Sequence, residues 1–257
     1  MTKYIHDFRI IQNRQVNPGC HVLELLCPVK LPEIQPGQFA QLLVEKSSAT
    51  YLRRPISIYD ADPEKNTLSL MIKVVGEGTA SLVKLGEGDS LNLVYPLGNS
   101  FSVPEGKKVL LVGGGVGIAP MLLLAKRLKA EGKEITILIG GRSFQDILEA
   151  ERYEAYGSVG ITTDDGSLGF KGLVTEHPAF AAAGEYAMIY ACGPDPMMKA
   201  VARIAHKMGA PCEVSLENLM ACGIGACLCC VAETTTGNRT TCVDGPVFNS
   251  GDLVGWE

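Results

Sequence analysis

Hydrophobic and polar residues alternate in short runs through residues 1–103, and proline and glycine separate the runs. Alternation with a period of two places every second side chain on one face of a strand, so each run predicts a half-buried β-strand. Turn residues at Asn17–Gly19 and Gln35–Gly37 support this interpretation. The pattern predicts a small antiparallel β-barrel with one short helix; its strands are Phe8–Gln15, Cys20–Leu26, Gln38–Val44, Ile56–Asp60, Leu68–Val75 and Ser90–Val94, and its helix is Thr79–Leu85.

From residue 104 to residue 216 the pattern changes to continuous apolar runs that alternate with longer amphipathic stretches. Continuous apolar runs are typical of strands buried on both faces, and helices between such strands are typical of a parallel sheet. The sequence therefore predicts a doubly wound α/β domain. Its predicted strands are Lys108–Val112, Glu134–Ile139, Val159–Thr163, Tyr186–Ala191 and Cys212–Leu216; its predicted helices are one ending at Lys129, Phe144–Tyr156 and Asp195–Met208.

The remaining residues, 217–257, contain a cluster of cysteines and little apolar material. So short a segment cannot bury a stable core alone, and we expect ligand binding and docking to hold it. The predicted domains are thus 1–103, 104–216 and 217–257, with a linker near Pro104–Gly106.

Composition and charge narrow the classes of function. The chain has 257 residues, 46% of them hydrophobic, and a formal net charge of −5. No run reaches the ~18 apolar residues of a membrane span, and no basic stripe marks a nucleic-acid surface. The first residues, Met1–Asp7, contain no apolar signal segment, so we expect a cytoplasmic protein.

Four cysteines near the end of the chain carry the strongest chemical signal. Cys222, Cys227 and Cys230 have the C-x4-C-x2-C spacing of the plant-type [2Fe–2S] loop, and Cys242 supplies a fourth thiolate. Such a cluster carries out one-electron chemistry, so the spacing predicts electron transfer. Structural zinc and disulfides are the alternative interpretations, although zinc sites commonly contain two C-x2-C pairs.

The other cysteines are predicted to have no ligand role. Cys229 is surplus to the iron–sulfur spacing, so we expect it to pack or to face solvent. Cys20, Cys27 and Cys212 lie in apolar stretches and are predicted to be small core residues.

A glycine loop follows the first strand of the α/β region. Gly115-Val116-Gly117 and then Pro120 stand between that strand and a helix, a placement that suits pyrophosphate at a helix N-terminus. Pro120 replaces the last glycine of the G-x-G-x-x-G pattern and is compatible with a helix start. A tight turn without a ligand is the alternative.

The barrel region carries a second anion-binding signal. Arg53 and Arg54 precede the strand that contains Ser57, and a guanidinium there could pair with a diphosphate while the hydroxyl bonds a flavin ring nitrogen. Two solvated surface charges are the alternative interpretation.

These signals, in this order, resemble the ferredoxin–NADP reductase superfamily, in which a flavin-binding barrel precedes a nicotinamide-binding α/β domain. Arg54–Ser57 is similar to its R-x-[YF]-[ST] flavin motif, with Ile56 in place of the aromatic residue. Gly115–Pro120 resembles its G-x-G-x-x-P nicotinamide loop, and Ala191–Pro194 its second nicotinamide motif.

Within that superfamily the chain resembles the electron-transfer subunits of NAD-dependent, type B dihydroorotate dehydrogenase. The segments Met220–Cys227 and Cys242–Phe248 carry this resemblance, and Thr163–Ser167 extends it. It implies a [2Fe–2S] module at 217–257 and a partner subunit with FMN and the pyrimidine site, with two copies of each chain. It also implies the residues that bind the cofactors: for FAD, Arg54, Pro55, Ile56, Ser57, Met71, Ile72, Lys73, Gly78 and Thr79; for NAD, Gly115, Gly117, Pro120, Cys192 and Gly193; for the cluster, Cys222, Cys227, Cys230 and Cys242.

The resemblance implies a direction of electron flow. Dihydroorotate would reduce FMN on the partner, and the electrons would reach NAD+ through the cluster and FAD, in the de novo biosynthesis of UMP. A flavin handles one or two electrons and so couples the cluster to hydride chemistry. No residue of this chain is expected to be catalytic for dihydroorotate, which the chain alone would not oxidise.

Two alternative functions stay open on the sequence. The small subunit of NADH-dependent reduced ferredoxin:NADP oxidoreductase has a similar Val243–Pro246 segment, but typically has Asp where this chain has Cys222. Arg142 and Ser143 follow the second α/β strand, where basic and hydroxyl residues bind the 2′-phosphate of NADP in related reductases. A binding module held together by zinc, without redox chemistry, is the remaining alternative.

Overall fold

The computed structural model describes residues 2–45 and 50–256. The outermost residues of the predicted domains, 1 and 257, lie outside this range. Six antiparallel strands close into a barrel in the order β1-β2-β5-β4-β3-β6, which confirms the predicted barrel. Its elements are β1 (Tyr4–Asn17), β2 (Cys20–Leu26), β3 (Phe39–Leu42), β4 (Arg54–Asp62), β5 (Thr67–Lys73), α1 (Glu77–Leu82) and β6 (Ser90–Leu97).

The barrel interior is filled by side chains that recur at every second position of its strands. Leu23 and Leu25 on β2 meet Leu68, Leu70 and Ile72 on β5 in one buried cluster. Because successive side chains of a strand point to opposite faces, the residues between them point out of the barrel. Met71 and Lys73 therefore lie on the outer face of β5.

The second domain is a parallel sheet with helices on its faces, as the sequence predicts. The strand order β10-β9-β8-β7-β11-β12-β15 places the first strand, β7, near the middle. All neighbours are parallel except β12 and β15. The elements of this domain are β7 (Lys108–Gly114), α2 (Ala119–Ala130), β8 (Glu134–Gly141), α3 (Ala150–Glu154), β9 (Ser158–Thr163), β10 (Phe170–Lys171), β11 (Met188–Cys192), α4 (Asp195–Lys207) and β12 (Cys212–Ser215). β13 (Val231–Thr234) and β14 (Gly237–Thr240) form a separate antiparallel pair after the cysteine loop, and β15 (Val247–Asn249) then joins the large sheet. 3-10 turns lie at Gly115–Ile118, Phe144–Asp146, Val174–Glu176, Pro178–Glu185 and Ser250–Asp252.

The prediction of one helix over Phe144–Tyr156 is wrong. The segment contains a 3-10 turn, an extended Ile147 and then the five-residue α3, because Glu149 has a left-handed backbone with φ of 50°. The Glu149 carboxylate is buried, accepts the Tyr59 hydroxyl at 2.8 Å and pairs with Arg14 at 2.5 Å. These barrel contacts hold Glu149 in a conformation that a helix cannot contain.

The segment that follows residue 216, called the cysteine segment, contacts both domains. Its last strand, β15, extends the α/β sheet antiparallel to β12, and Phe248 and Trp256 enter the core of that domain. Asn99, just after β6, donates its side-chain amide to the carbonyls of Asp244 at 2.9 Å and Val247 at 2.8 Å. Its Oδ1 accepts the Val247 N–H at 3.0 Å, and its own N–H donates to the Gly245 carbonyl at 2.6 Å.

A cluster of charges joins the barrel to the α/β domain. The Asp60 carboxylate, at the middle of β4, pairs with Lys126 of α2 at 2.5 Å and with Arg152 of α3 at 3.0 Å. The Arg152 guanidinium also lies over the Tyr59 ring, 5.0 Å from its centroid. Both domains therefore contribute to one ion-pair network, which fixes the width of the space between them.

Over residues 2–45 and 50–256, no helix has the length and hydropathy that crossing a membrane requires.

We expect Asp60→Asn to lower the free energy of unfolding by about 2 kcal/mol, because three partly buried charge-assisted hydrogen bonds, from Lys126 and Arg152, lose their anion. Urea denaturation of the loaded protein measures this. Glu131→Gln is the matched control, since it removes an exposed Arg127–Glu131 pair on α2 that water screens. Equal effects of the two substitutions would contradict the structural role of Asp60.

Candidate functional site

A cavity of about 830 Å³ lies between the two domains at the carboxyl ends of the parallel strands. Ligands of doubly wound sheets bind at this edge, and the volume is that of a small-molecule site. Ten of the predicted cofactor residues line it: Arg54, Pro55, Ile56, Ser57, Met71, Lys73, Thr79, Gly115, Gly117 and Gly193.

Four other predicted residues are not among those that line the cavity. Ile72 is wholly buried in the barrel core, because the alternation of β5 turns its side chain inward. Pro120 is buried in the first turn of α2, and the Cys192 side chain lies in the α/β core. Gly78 lies against the Arg54 side chain. These four residues lie behind the residues that line the cavity.

The two arginines before β4 have different surroundings. Arg53 donates to the backbone carbonyls of Gln41 and Asn92, both at 3.2 Å, and to the Asn92 side chain at 2.5 Å. Burial lowers the pKa of Arg53, against the attraction of nearby carboxylates. The Arg53 guanidinium therefore forms its hydrogen bonds within the protein and links strands β3 and β6 of the barrel.

Arg54 lies on the cavity wall. Its guanidinium donates to the Leu52 carbonyl at 2.9 Å and rests on the first turn of α1, where a Cβ on Gly78 would lie 2.7 Å from Arg54 Nε. Glycine at position 78 therefore leaves room for the guanidinium at the surface of the cavity. Such a fork of N–H donors suits a phosphate or diphosphate.

The glycine loop crosses the floor of the cavity. β7 ends at Gly114, a 3-10 turn follows, and α2 begins with proline in its first turn, as predicted. A Cβ on Gly117 would collide with the Cys192 carbonyl oxygen and lie 2.5 Å from Gly193 Cα. The two loops predicted from the sequence therefore pack backbone to backbone, which only glycine at position 117 permits.

The four predicted ligand cysteines form two pairs. The Cys222 sulfur accepts the N–H groups of Ile224 at 3.5 Å and Cys227 at 3.4 Å. The Cys230 sulfur accepts the Cys242 N–H at 3.4 Å. Gly223 and Gly225 have φ of 70° and 86°, so they supply the left-handed turns that curl the loop around Cys222.

The environments of the two pairs differ. Burial raises the pKa of Cys222, but the backbone N–H groups around its sulfur outweigh burial and lower it to about 6. Burial and the adjacent Cys230 thiol raise the pKa of Cys242 to about 12. The Cys222 thiol therefore loses its proton more readily than an ordinary cysteine, whereas a cation that binds Cys242 must displace a more firmly held proton.

The arrangement fits a binuclear cluster. Each iron of a [2Fe–2S] centre with four cysteine ligands takes two of them, which is the division into two pairs. Within residues 2–45 and 50–256, no three Cys, His, Asp or Glu side chains converge on a single metal position, and no two cysteines form a disulfide; the four ligand candidates meet in twos. Cys229 is exposed, whereas Cys20, Cys27 and Cys212 are buried, which confirms their predicted core positions.

One aromatic side chain connects the cysteines to the cavity. Phe39, on β3, lines the cavity and also packs with Leu97 against the buried cysteines 230 and 242. Its side chain is 3% exposed. The single side chain of Phe39 therefore separates the cavity from the cysteine segment.

Two buried polar side chains near the cysteines have no hydrogen-bond partner in the described structure. They are Gln41, whose amide nitrogen and oxygen are both unpaired, and Thr241, next to Cys242. Buried polar groups are normally paired, so these two indicate a ligand at this place.

The segment from Ser215 to Met220, which lines the cavity between β12 and the cysteines, was not predicted from the sequence. Its position after the last parallel strand is the signal that could have identified it. Glu217 is exposed at the cavity surface, and the protein around the cavity raises the pKa of its carboxyl group by desolvation, an effect that Lys73 partly offsets. Asp146 and Asp164 also line the cavity, close to Arg142.

Comparison with known families finds two matching domain models. Residues 217–254 match the iron–sulfur cluster binding domain of dihydroorotate dehydrogenase B. Residues 111–203 match the oxidoreductase NAD-binding domain.

Curated relatives match almost the whole chain. The dihydroorotate dehydrogenase B (NAD(+)) electron transfer subunit of Caldanaerobacter subterraneus subsp. tengcongensis is 42% identical, covering 93% of this chain and 94% of the relative. The protein of the same name from Clostridium acetobutylicum is 39% identical, covering 96% of each chain.

Solved structures share the architecture. A chain of an NADH-dependent reduced ferredoxin–NADP oxidoreductase superposes with a TM-score of 0.86 at 32% identity, covering 96% of this chain and 89% of that one. The ferredoxin reductase of a carbazole 1,9a-dioxygenase superposes with a TM-score of 0.72 at 22% identity, covering 82% of this chain and 68% of that one, and shows the fold alone.

We expect Asn99→Ala to detach the cysteine segment from the barrel and to lower the free energy of unfolding by about 3 kcal/mol, at about 1 kcal/mol for each lost side-chain hydrogen bond. Chemical denaturation measures the loss, and limited proteolysis near residues 244–247 reports the detachment. Asn17→Ala is the control, because its side chain makes one exposed contact between the domains, to the Gln145 carbonyl, and one local bond from the Gly19 N–H, and neither partner lies in the cysteine segment. Protection from proteolysis in Asn99→Ala equal to wild type would contradict this role.

Proposed function

Since the chain belongs to the electron-transfer subunits of NAD(+)-dependent dihydroorotate dehydrogenase B, we propose that it carries electrons from a dihydroorotate-oxidising subunit to NAD+. It is an oxidoreductase subunit of the ferredoxin–NADP reductase fold. The observation that supports this function best is the wall formed by Phe39 between the cavity and the cysteine pairs. Centres that exchange single electrons must lie close together, and this wall brings their binding residues together.

The cofactors are FAD, NAD as substrate, and a [2Fe–2S] cluster. The bound flavin would supply the conversion between the two electrons of a hydride and the single electrons of the cluster. The residues of the chain bind and orient these groups and exclude water from between them.

FAD would bind along the barrel wall of the cavity. We propose that the Arg54 guanidinium pairs with its diphosphate and that the Ser57 hydroxyl lies beside the isoalloxazine ring. Pro55, Ile56, Met71, Lys73 and Thr79 would complete the wall. Gly78 leaves room for Arg54, and Ile72 can contribute only its backbone because its side chain fills the barrel core.

NAD would bind across the glycine loops. Gly115, Gly117 and Gly193 let the backbone approach the pyrophosphate, and Pro120 and Cys192 support the loops from within. The carboxylates of Asp146 and Asp164 favour NAD over NADP, since they would repel a 2′-phosphate. Arg142 Nε lies 3.6 Å from Asp146 Oδ2, and its side chain is 83% exposed, so this guanidinium stands in solvent beside one of the two carboxylates.

We propose Cys222, Cys227, Cys230 and Cys242 as the cluster ligands. The family model of an iron–sulfur binding domain covers all four, and the two pairs match the donor count of two irons. A non-redox zinc module is therefore not retained as a candidate.

The partner is a catalytic dihydroorotate dehydrogenase subunit, as the names of the relatives imply. We propose that this partner carries FMN, that two copies of each chain assemble, and that the complex is cytoplasmic. Ile224, Leu228 and Val243 are exposed apolar side chains around the cysteine loop. An exposed apolar surface of this kind supports docking of a protein at the cluster.

A second candidate is a subunit of a reduced ferredoxin:NADP oxidoreductase. The solved structure of that enzyme, at 32% identity and a TM-score of 0.86, favours it. Several curated dihydroorotate dehydrogenase relatives are more similar in sequence, at 36–42% identity. A preference for NADPH over NADH would support the second candidate.

We expect Cys227→Ser to abolish the bound iron and acid-labile sulfide, because one iron would lose a thiolate. Chemical iron and sulfide analysis of the purified protein measures this. Cys229→Ser is the matched control and should keep both at the wild-type level. Loss of the cluster from Cys229→Ser would show that the ligands are assigned wrongly.

We expect Arg54→Ala to lower FAD occupancy at least tenfold while the barrel stays folded, since the guanidinium faces the cavity. Arg53→Ala should instead lower the unfolding temperature, since its guanidinium joins barrel strands. Absorbance spectra and thermal denaturation separate the two effects. Equal FAD occupancy in both variants would contradict the proposed contact.

Co-expression with a dihydroorotate dehydrogenase catalytic subunit tests the function as a whole. The complex should reduce NAD+ with dihydroorotate, whereas this chain alone should only transfer electrons from NADH to artificial dyes. Dye reduction with NADH and NADPH in parallel tests the nucleotide preference. Oxidation of dihydroorotate by the isolated chain, or no complex with any such subunit, would refute the proposal.

A further inference from the structure

Gln41 is placed between the barrel and the cysteine loop. It lies on β3, where Ala40 and Leu42 point into the barrel core while Phe39 and Gln41, two positions apart, share the opposite face. Phe39 covers the buried cysteines on that face. The Gln41 side chain therefore points out of the barrel, towards the segment that carries the cysteines.

The Gln41 amide contacts the loop itself. A Cβ on Gly223 would lie 2.7 Å from Gln41 Nε2 and 3.0 Å from its amide carbon. Gly223 is the residue after Cys222, and its φ of 70° bends the loop at this point. The amide thus lies against the backbone turn that shapes the surroundings of the Cys222 sulfur.

The amide is buried and unpaired. Gln41 has 0% relative exposure, and neither Nε2 nor Oε1 has a hydrogen-bond partner in the described residues. Only its backbone is engaged, since the Gln41 carbonyl accepts a bond from Arg53 at 3.2 Å. A neutral amide held dry against a thiolate loop offers its N–H to sulfur, the negatively charged acceptor there.

We propose that the Gln41 side-chain N–H donates a hydrogen bond to a sulfur atom at the cluster site and thereby raises the reduction potential of the cluster. The proposal rests on the iron–sulfur function inferred above. Hydrogen bonds to cluster sulfurs stabilise the more negative, reduced state, so they raise the potential. Gln41 is a positioning and tuning residue, and the ligand set is unchanged.

Gln41→Leu tests this in the full chain loaded with FAD and cluster. We expect the equilibrium constant for one-electron reduction of the cluster to fall about tenfold, which is about 59 mV. An anaerobic redox titration, followed by electron paramagnetic resonance for the cluster and absorbance for FAD, measures both potentials. Thr162→Val is the matched control: Thr162 is also buried with an unpaired side chain but lies on β9, and its loss should leave the cluster potential unchanged.

Gln41→Met provides a second variant that fills similar space without a donor, in case the leucine variant folds poorly. An unchanged cluster potential at full iron and sulfide content overturns the proposal, as does a shift in the FAD potential alone. Loss of the cluster from both variants in a folded chain also overturns it, because Gln41 would then only hold the loop. Wild-type protein that contains no iron and sulfide would instead refute the proposed function.

Discussion

The hydrogen bonds of Asn99 are the contact on which the candidate site most depends. A single side chain just after the barrel binds both ends of the segment Asp244–Val247, and so fixes the backbone that follows Cys242. That segment then continues into β15 and the α/β sheet. Residues almost 150 positions apart in sequence thus meet at one place. Phe39 can bridge the cavity and the cysteines only because this contact brings the segment back to the barrel.

A second constraint is the charged network between the domains. Asp60, on β4 of the barrel, pairs with Lys126 of α2 and Arg152 of α3 and so links the two domains. The network lies outside the set of residues that line the cavity, and it links the two domains between which the cavity lies. Ligands that bridge the domains meet walls whose separation is already set, which reduces the ordering that binding requires.

Much of the fold follows from the sequence pattern, because strand alternation and buried apolar runs are local signals. The barrel, the parallel sheet, the buried cysteines 20, 27 and 212 and the proline at the start of α2 are all confirmed. The predicted helix over Phe144–Tyr156 is wrong because contacts with Tyr59 and Arg14 of the barrel determine the backbone conformation of Glu149. Residues distant in sequence also determine the different surroundings of Arg53 and Arg54. They likewise leave the Gln41 amide unpaired. The local pattern of hydrophobic and polar residues could not predict either feature.

The addition of β15 to the sheet also has a consequence for how the protein is made. Until that later stretch of chain has been synthesised, β12 is an edge strand whose backbone groups can pair with another molecule. The nucleotide domain is thus left with an aggregation-prone edge until the segment after the cysteines docks on β12.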